Sequence, residues 1–207
     1  FRGQDAEYPE LLTSRRFWGY CLTAAFASGA FFAYLGGAPL VGSAVYGMTP
    51  TELGLFFGAP ALGYMAGNGL SGRYSQRVGV DRMVLWGAVG QAAGMVTLLI
   101  LTLAGFTSEW MFFGFMTFVG LGNGMVIPNA TAGMLSVKPH LAGTASGLGG
   151  AIMIGGGAAL SAWVGVLLTP ETGAFPLLWM MFITAVLGLV SILLVINRAR
   201  QLAKASP

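Results

Sequence analysis

The hydrophobic residues of this chain fall into six long runs separated by short breaks that contain glycine, proline or charged residues. A helix that crosses the roughly 30 Å hydrocarbon core of a bilayer needs about 20 mostly apolar residues. The runs cover residues 17–41, 51–71, 83–104, 110–137, 141–168 and 175–196. Strands of a membrane barrel would alternate polar and apolar positions, and stretches such as residues 95–101 do not. The pattern therefore predicts an all-α membrane protein with six transmembrane helices.

The composition agrees with a lipid bilayer as the partner of this chain. Of its 207 residues 56% are hydrophobic and 8% are charged, and the mean hydropathy is +0.76, whereas an ordinary soluble domain has about 25% charged residues. The basic residues behind the net charge of +3 are too few and too scattered for a nucleic-acid-binding face. Cys21 is the single cysteine and is predicted to be a small buried hydrophobe. Because no His/Cys cluster is present, neither a metal site nor a cofactor is expected.

The basic residues mark one side of the predicted bundle. In the six-span map they precede span one, join spans two and three, join spans four and five, or follow span six: Arg2, Arg15, Arg16, Arg73, Arg77, Arg82, Lys138, Arg198, Arg200 and Lys204. The opposite loops contain Glu52, Glu109 and Glu171 and no basic residue. An excess of Lys and Arg in short loops marks the cytoplasmic side. Both termini are therefore predicted to be cytoplasmic.

The chain divides into three parts. Residues 1–14 are polar and lack the basic, apolar and small-residue regions of a signal peptide. They are predicted to be a cytoplasmic linker, the remnant of an interdomain loop, because Phe1 indicates a cut within a longer chain or a processed or engineered end. Residues 15–197 form the predicted six-helix domain, and residues 198–207 form a cytoplasmic tail.

Small residues recur at every fourth position in several spans, a pattern that lets membrane helices approach closely. The rows are Ala25, Gly29, Ala33 and Gly37 in span one; Ala59, Gly63, Gly67 and Ser71 in span two; and Gly143, Gly147, Ala151, Gly155 and Ala159 in span five, with the pairs Gly90 and Gly94 in span three and Gly120 and Gly124 in span four. We expect spans one, two, four and five to pack inside the bundle, and spans three and six to face lipid.

The polar chemistry within the spans consists of amides and hydroxyls. No Lys, Arg, Asp or Glu lies deep within a span, although such groups usually mark ion or proton pathways. In span four, Asn123 and Asn129 flank Pro128, whose missing N–H makes it a candidate hinge. A buried amide is costly unless it is paired. Asn129 is predicted to bond a neighbouring helix, whereas for Asn123 a helix contact and a place in a water-filled cavity are equally compatible with the sequence.

Two segments closely resemble the second half of Bcr/CflA-type drug exporters, which are proton-coupled antiporters of the major facilitator superfamily. They are RRFWGYCLTAAFASGAFFAYLGGAPLV, from Arg15, and GLGNGMVIPNATAGMLSVKPHLAGTASGLGGAIMIGGGA, from Gly120. The runs Pro128–Ala132 and Ala142–Gly147 carry most of the specificity. The resemblance implies one half of such a transporter, built from two inverted three-helix repeats. It also implies that spans one, two, four and five face a first six-helix half across the substrate cavity.

The loop between spans two and three resembles a degraded copy of the superfamily pattern G-x-x-x-D-R-x-G-R-R/K. Gly72, Arg77 and Gly79 match the pattern, but Gln76 stands in the place of the acid. The final bases are replaced as well. A weak copy is typical of a second half, and it argues against a gating role for this loop.

The resemblance implies multidrug efflux of small amphipathic compounds across the bacterial inner membrane, hence antibiotic resistance, by a multi-pass protein that is not an enzyme. The residues predicted to line the substrate cavity are Tyr20, Phe31, Tyr34, Met65, Asn123 and Met153, because aromatic and Met side chains can repack around varied ligands. Helix packing is the simpler explanation of each residue. The resemblance places the acid needed for proton coupling in the first half, so proton coupling is expected only together with that half.

Two alternatives stay open. The chain could act as a self-sufficient half-transporter by pairing with a second copy of itself, since homodimers are common. More remotely, Ser71 in a Gly-x-Ser-Gly run and His140 are similar to the dyad of rhomboid-type intramembrane serine proteases. Ser71 lies at the cytoplasmic end of span two and His140 in a cytoplasmic loop, whereas that chemistry needs the two side chains within hydrogen-bond reach.

Overall fold

The computed structural model describes residues 9–205, so the predictions for residues 1–8, which include Arg2, and for residues 206–207 lie outside the described part. The helices are α1 Arg15–Leu40, α2 Pro50–Phe57, α3 Ala59–Val78, α4 Val80–Leu103, α5 Glu109–Val137, α6 Ala142–Leu167 and α7 Phe175–Ala205. A π-helical turn at Val41–Val45 extends α1, and a 3₁₀ turn at Pro139–Leu141 precedes α6. No strand occurs between residues 9 and 205. The prediction of an all-α membrane protein is confirmed.

Five helical segments are long and apolar enough to cross a membrane, namely Arg15–Val45, Val80–Leu103, Glu109–Val137, Pro139–Leu167 and Phe175–Lys204. The second predicted span differs, because the structure divides it at Gly58 into α2 and α3. Pro60 has no N–H to continue the ladder of α2, and it suits the first turn of a new helix. The polar end of α3, which includes Arg73 and Arg77, also lowers the hydropathy of that helix.

Helix α5 lies at the centre of the bundle, where it packs against α3, α4 and α1, while α1 also packs against α6 and α7. The small residues of α3 and α5 cause their close approach, as the sequence predicts. A Cβ atom at Gly124 would lie 2.6 Å from the carbonyl oxygen of Tyr64, and one at Gly67 would lie 3.0 Å from the Cα of Gly124. Since both neighbours are backbone atoms, this crossing requires glycine on both helices.

The prediction that span five packs inside the bundle was wrong for this chain. In the most hydrophobic stretch of α6, only 11% of the residues are buried. The corresponding fraction for α4, which was expected to face lipid, is 50%. Of the row on α6, Gly143, Gly147 and Gly155 have no neighbour within 4 Å of an added Cβ atom. The reason is that α6 rests mainly on α1, while α4 fits between α5 and α7. The small-residue face of α6 is therefore open.

One end of the bundle gathers basic residues. The carboxylate of Glu10, just before α1, lies 2.7 Å from Lys138 Nζ and 3.4 Å from His140 Nε2 in the turn between α5 and α6. Hydrogen bonding to Lys138, and then to His140, lowers the pKa of Glu10. Glu52 and Glu109 lie together at the opposite end, around one small cavity. This separation agrees with the side assignment made from the loop charges.

Candidate functional site

A cavity of about 540 Å³ lies among α1, α3, α5 and α6. This volume falls within the range of about 300–1,000 Å³ that is usual for small-molecule sites. Its walls are apolar and aromatic apart from one amide and two hydroxyl groups. The lining residues are Ser28, Phe31, Phe32 and Leu35 of α1; Phe57 of α2; Pro60, Ala61 and Tyr64 of α3; Gly120, Asn123 and Ile127 of α5; and Met153 of α6.

Asn123 is the distinctive polar group of this wall. The residue is 4% exposed, and its Oδ1 atom has no hydrogen-bond partner among the described residues. Leaving a buried acceptor unsatisfied costs about 1–3 kcal/mol. The sequence left a helix contact and a place in a cavity open for Asn123, and the structure shows no helix partner for this oxygen. A ligand that donates a hydrogen bond would remove this cost.

The other buried amides of the described residues are paired. Asn129 Nδ2 donates to Ser71 Oγ on α3 and to the carbonyl oxygen of Met125, the latter at 2.8 Å. Gln91 Nε2 of α4 donates to the Ala27 carbonyl oxygen of α1 at 3.1 Å. The prediction that Asn129 joins two helices is confirmed. Asn123 and Asn129 lie six residues apart on one helix. The side chain of Asn129 is hydrogen-bonded to a second helix, whereas the Oδ1 atom of Asn123 has no partner.

Aromatic side chains behind the cavity hold its wall in place. The Tyr34 hydroxyl donates to the Phe57 carbonyl oxygen at 3.0 Å, and the two rings stack at 5.0 Å. Phe31 in turn lies 6.3 Å from the Tyr34 ring and 6.4 Å, edge-on, from Phe32. Because Tyr34 is fully buried and already bonded, it supports the wall and does not line it.

Of the six predicted cavity residues, the structure brings together Phe31, Asn123 and Met153. Tyr34 lies behind them. Tyr20 lies eleven residues before Phe31, about 16 Å along the helix, where its hydroxyl donates to Asp81 Oδ1 of α4. Met65 is 71% exposed, because it follows Tyr64 by about 100° around α3. A helical stripe identifies one face of a helix, but it does not show where along that face a cavity opens.

Sequence reasoning named Met65 of α3 but missed the residues of α3 that line the cavity, and it missed the end of α2. Pro60, Ala61 and Tyr64 recur at the spacing of one helical face, next to the face on which Gly63 and Gly67 pack against α5. The small-residue row could therefore have indicated which side of span two turns towards the cavity. No sequence pattern of this kind identified Phe57, because it is the last residue of α2 and lies at the break before α3.

Helix α5 is continuous through Pro128. Proline lacks the N–H that would bond the carbonyl oxygen of Gly124, so the helix has one fewer internal hydrogen bond directly beside the cavity. A hinge role for Pro128 stays a prediction.

The loop pattern between α3 and α4 has one clear structural role. Gly79, with φ of 89°, ends α3 and begins α4, and its N–H donates to the Ser75 carbonyl oxygen at 2.9 Å. A side chain would be strained in this left-handed conformation. Gly72 and Arg77 are exposed on α3, and an added Cβ at Gly72 would have no neighbour within 4 Å.

The two residues of the protease alternative have other partners. Ser71 Oγ accepts the hydrogen bond from Asn129, and His140 lies beside Glu10 in an exposed turn. The described part of the chain shows no hydrogen bond between Ser71 and His140. The arrangement does not resemble a nucleophile activated by a base.

A second cavity of about 540 Å³ opens near Trp110, between α2, α3 and the start of α5. Its lining side chains are apolar except for the indole of Trp110, which is exposed. It contains no group comparable to the unpaired Asn123 amide. The cavity beside Asn123 is therefore the stronger candidate for recognising a ligand.

Several membrane-length helices around a ligand-sized apolar cavity define an integral multi-pass membrane protein. Residues 3–162 match the family model described as Major Facilitator Superfamily. The chain belongs to this superfamily of membrane transporters.

Two relatives make the comparison more specific. The chain is 30% identical over 179 residues to the Bacillus subtilis "Uncharacterized MFS-type transporter YdgK", covering 86% of this chain and 43% of that protein. It is 28% identical over 146 residues to a Haemophilus influenzae "Bicyclomycin resistance protein homolog", covering 70% of this chain and 36% of the relative. The chain spans less than half the length of these relatives. No solved structure matches the chain significantly.

Proposed function

We propose that this chain forms one wall of the substrate site of a multidrug exporter, with the cavity beside Asn123 as the part that holds the drug. The observation that carries the proposal is the unpaired Oδ1 atom of Asn123 in an otherwise apolar cavity. The resistance named in the H. influenzae relative supports a drug-like ligand. Phe31, Phe32 and Met153 would supply adaptable apolar contacts.

The open surfaces support a further part of the proposal, namely that a second unit completes the cavity. The small-residue face of α6 has no neighbour in this chain, although such faces pack closely in membrane proteins. We propose a first six-helix half as this unit, since the relatives are more than twice as long as the matched part. Pairing with a second copy of this chain is the alternative that the same open face allows.

The location of the charges supports a division of labour between the two units. The acidic residues of the described part, from Glu10 to Glu171, lie at helix ends or in loops, and none of them lines the cavity. Proton coupling requires a titratable group in the transport pathway. We therefore place this group in the first half, and the basic loops on the cytoplasmic side of a bacterial inner membrane. Residues before 15 would act as the linker, and those after 197 as a tail.

Asn123→Leu is expected to weaken binding of labelled bicyclomycin about tenfold, the equivalent of about 1.4 kcal/mol, because the hydrogen bond to the ligand is lost. The same change is expected to raise the free energy of unfolding by about 1 kcal/mol, since an unsatisfied buried amide is removed. Equilibrium binding and thermal unfolding in detergent measure the two effects. A purely structural Asn123 would give the opposite sign for stability.

Asn129→Leu is the matched control on the same helix. It breaks the hydrogen bond to Ser71 and is expected to lower the free energy of unfolding by about 1–2 kcal/mol. Ligand affinity of the folded fraction should stay within about twofold, because Asn129 does not line the cavity. Equal losses of affinity in both variants would contradict a ligand contact at Asn123.

The chain by itself is expected to bind bicyclomycin without accumulating it against a gradient. The physical reason is that no titratable acid faces the cavity in the described residues. Uptake into proteoliposomes that contain only this chain should be the same with and without a pH gradient. Accumulation that disappears when the gradient is collapsed would overturn the division of labour, and it would favour the self-sufficient homodimer.

A further inference from the structure

A groove of about 380 Å³ lies between the first half of α1 and the second half of α7, apart from the cavity beside Asn123. The two helices approach closely at Gly19, where an added Cβ would lie 3.5 Å from Val195 Cβ. The lining residues are Arg15, Trp18, Gly19 and Leu22 of α1 and Ser191, Leu194, Asn197, Arg198 and Gln201 of α7.

The groove is polar at one end and apolar at the other. Arg15 and Leu22 are seven residues apart on one face of α1, about 10 Å along the helix axis. Leu194 and Gln201 are also seven residues apart on α7. On α7 the leucine precedes the polar residue in the chain, whereas on α1 the leucine follows it. Both helices therefore place their charged or amide residues at the basic end and their leucines deeper in the membrane.

The positive charge of the groove has no counter-charge among the described residues. Among residues 9–205, every ion pair of 4.0 Å or shorter involves Glu10. Neither Arg15 nor Arg198 forms such a pair. Arg198 Nη1 approaches only the neutral Oε1 of Gln201, at 3.4 Å. A guanidinium group presents its N–H donors in a planar fork, and two such groups suit the oxygens of a phosphate.

The surroundings of the groove are those of a lipid boundary. Helix α7 exposes Val190, Leu193 and Leu194 next to it, and apolar side chains exposed along a membrane span contact acyl chains. Trp18 lies in the groove wall, where its Nε1 donates to the Leu12 carbonyl oxygen at 2.8 Å. Tryptophan is enriched at the level of the lipid headgroups.

We propose that this groove binds an anionic phospholipid from the leaflet at the basic end of the bundle. The phosphate lies between Arg15 and Arg198, Asn197 and Gln201 contact the polar headgroup, and one acyl chain follows Leu22 and Leu194. Basic pockets between membrane helices recognise anionic headgroups in this way. The apolar end of the groove selects a lipid over a free phosphate ion, which could use only the polar end.

Native mass spectrometry of the chain in detergent tests this site with phosphatidylglycerol and phosphatidylcholine of identical acyl chains, added at equal concentration. The wild-type chain is expected to retain phosphatidylglycerol about tenfold over phosphatidylcholine, since each basic residue adds to the attraction. The double variant Arg15→Gln/Arg198→Gln should bring the ratio close to one. Arg200→Gln, on the same turn of α7 but outside the groove, should leave the ratio within about twofold of the wild type.

Each outcome decides the proposal. Equal retention of the two lipids by the wild-type chain overturns it, whether or not the double variant folds. An equal loss in Arg200→Gln also overturns it, because the preference would then come from net charge. Inorganic phosphate at millimolar concentration is expected to leave phosphatidylglycerol bound, and complete displacement would identify a free anion as the ligand in place of a lipid.

Discussion

Gly120→Ala is expected to lower the free energy of unfolding by about 3 kcal/mol, at the upper end of the usual cost of overpacking. The added Cβ would lie 2.7 Å from the carbonyl carbon of Pro60 and 2.8 Å from the backbone nitrogen of Tyr64. These are backbone atoms of α3, which cannot rotate aside as a side chain can. The two helices would have to separate, and thermal unfolding in detergent followed by circular dichroism measures the loss.

Gly114→Ala is the control on the same helix. An added Cβ at Gly114 has no neighbour within 4 Å, so the stability should change by less than about 1 kcal/mol. The sign should be towards stability, because alanine favours a helix over glycine. Similar losses in the two variants would mean that the Gly120 contact with α3 is not what holds the helices together.

Under the proposed function, Ala61→Trp is expected to weaken bicyclomycin binding about a hundredfold, the equivalent of about 2.7 kcal/mol. Ala61 lines the cavity from α3, and an indole there would occupy much of the space that a ligand needs. The stability should change little, since Ala61 is exposed. Equilibrium binding measured with bicyclomycin and with an apolar aromatic dye tests the effect on two kinds of ligand.

Ala66→Trp provides the matched control for the cavity. Ala66 is also exposed on α3, but it lies about 140° around the helix from Ala61 and does not line the cavity. The same indole placed there should leave the affinity within about threefold. If both tryptophan variants bind as well as the wild type, the ligand does not occupy the cavity beside Asn123. The proposed lipid site in the groove between α1 and α7 does not depend on that result.

The two proposed sites differ in how their chemistry is built. The cavity is lined by one amide, that of Asn123, whose oxygen is buried and unpaired, and this favours a neutral ligand with a hydrogen-bond donor. The groove presents two guanidinium groups at the edge of the bilayer, which favours a fixed negative charge. A single bundle can hold both ligands because α1 contributes different faces to the two sites.

The sequence by itself determined the class of protein and the position of most helices. Bilayer thickness and the cost of unpaired backbone groups in lipid leave few ways to arrange long apolar runs, so the runs from Phe17 and Phe175 could be identified as helices without a structure. The charges in the loops likewise predicted which helix ends lie together, and the contact between Glu10 and Lys138 agrees with that map. Asn129 was assigned correctly because most buried amides find a hydrogen-bond partner.

Only the tertiary structure decided how the helices pack and which residues share a cavity. A row of small residues allows close approach but does not name the partner, so Gly63 and Gly67 meet α5 while the similar row on α6 stays open. Tyr34 is buried, Met65 is exposed, and Tyr20 lies far from the cavity. Each outcome depends on the point along the helix at which a neighbouring helix crosses it. The unpaired state of Asn123 has the same origin, because a hydrogen bond depends on distances between helices that local sequence does not encode.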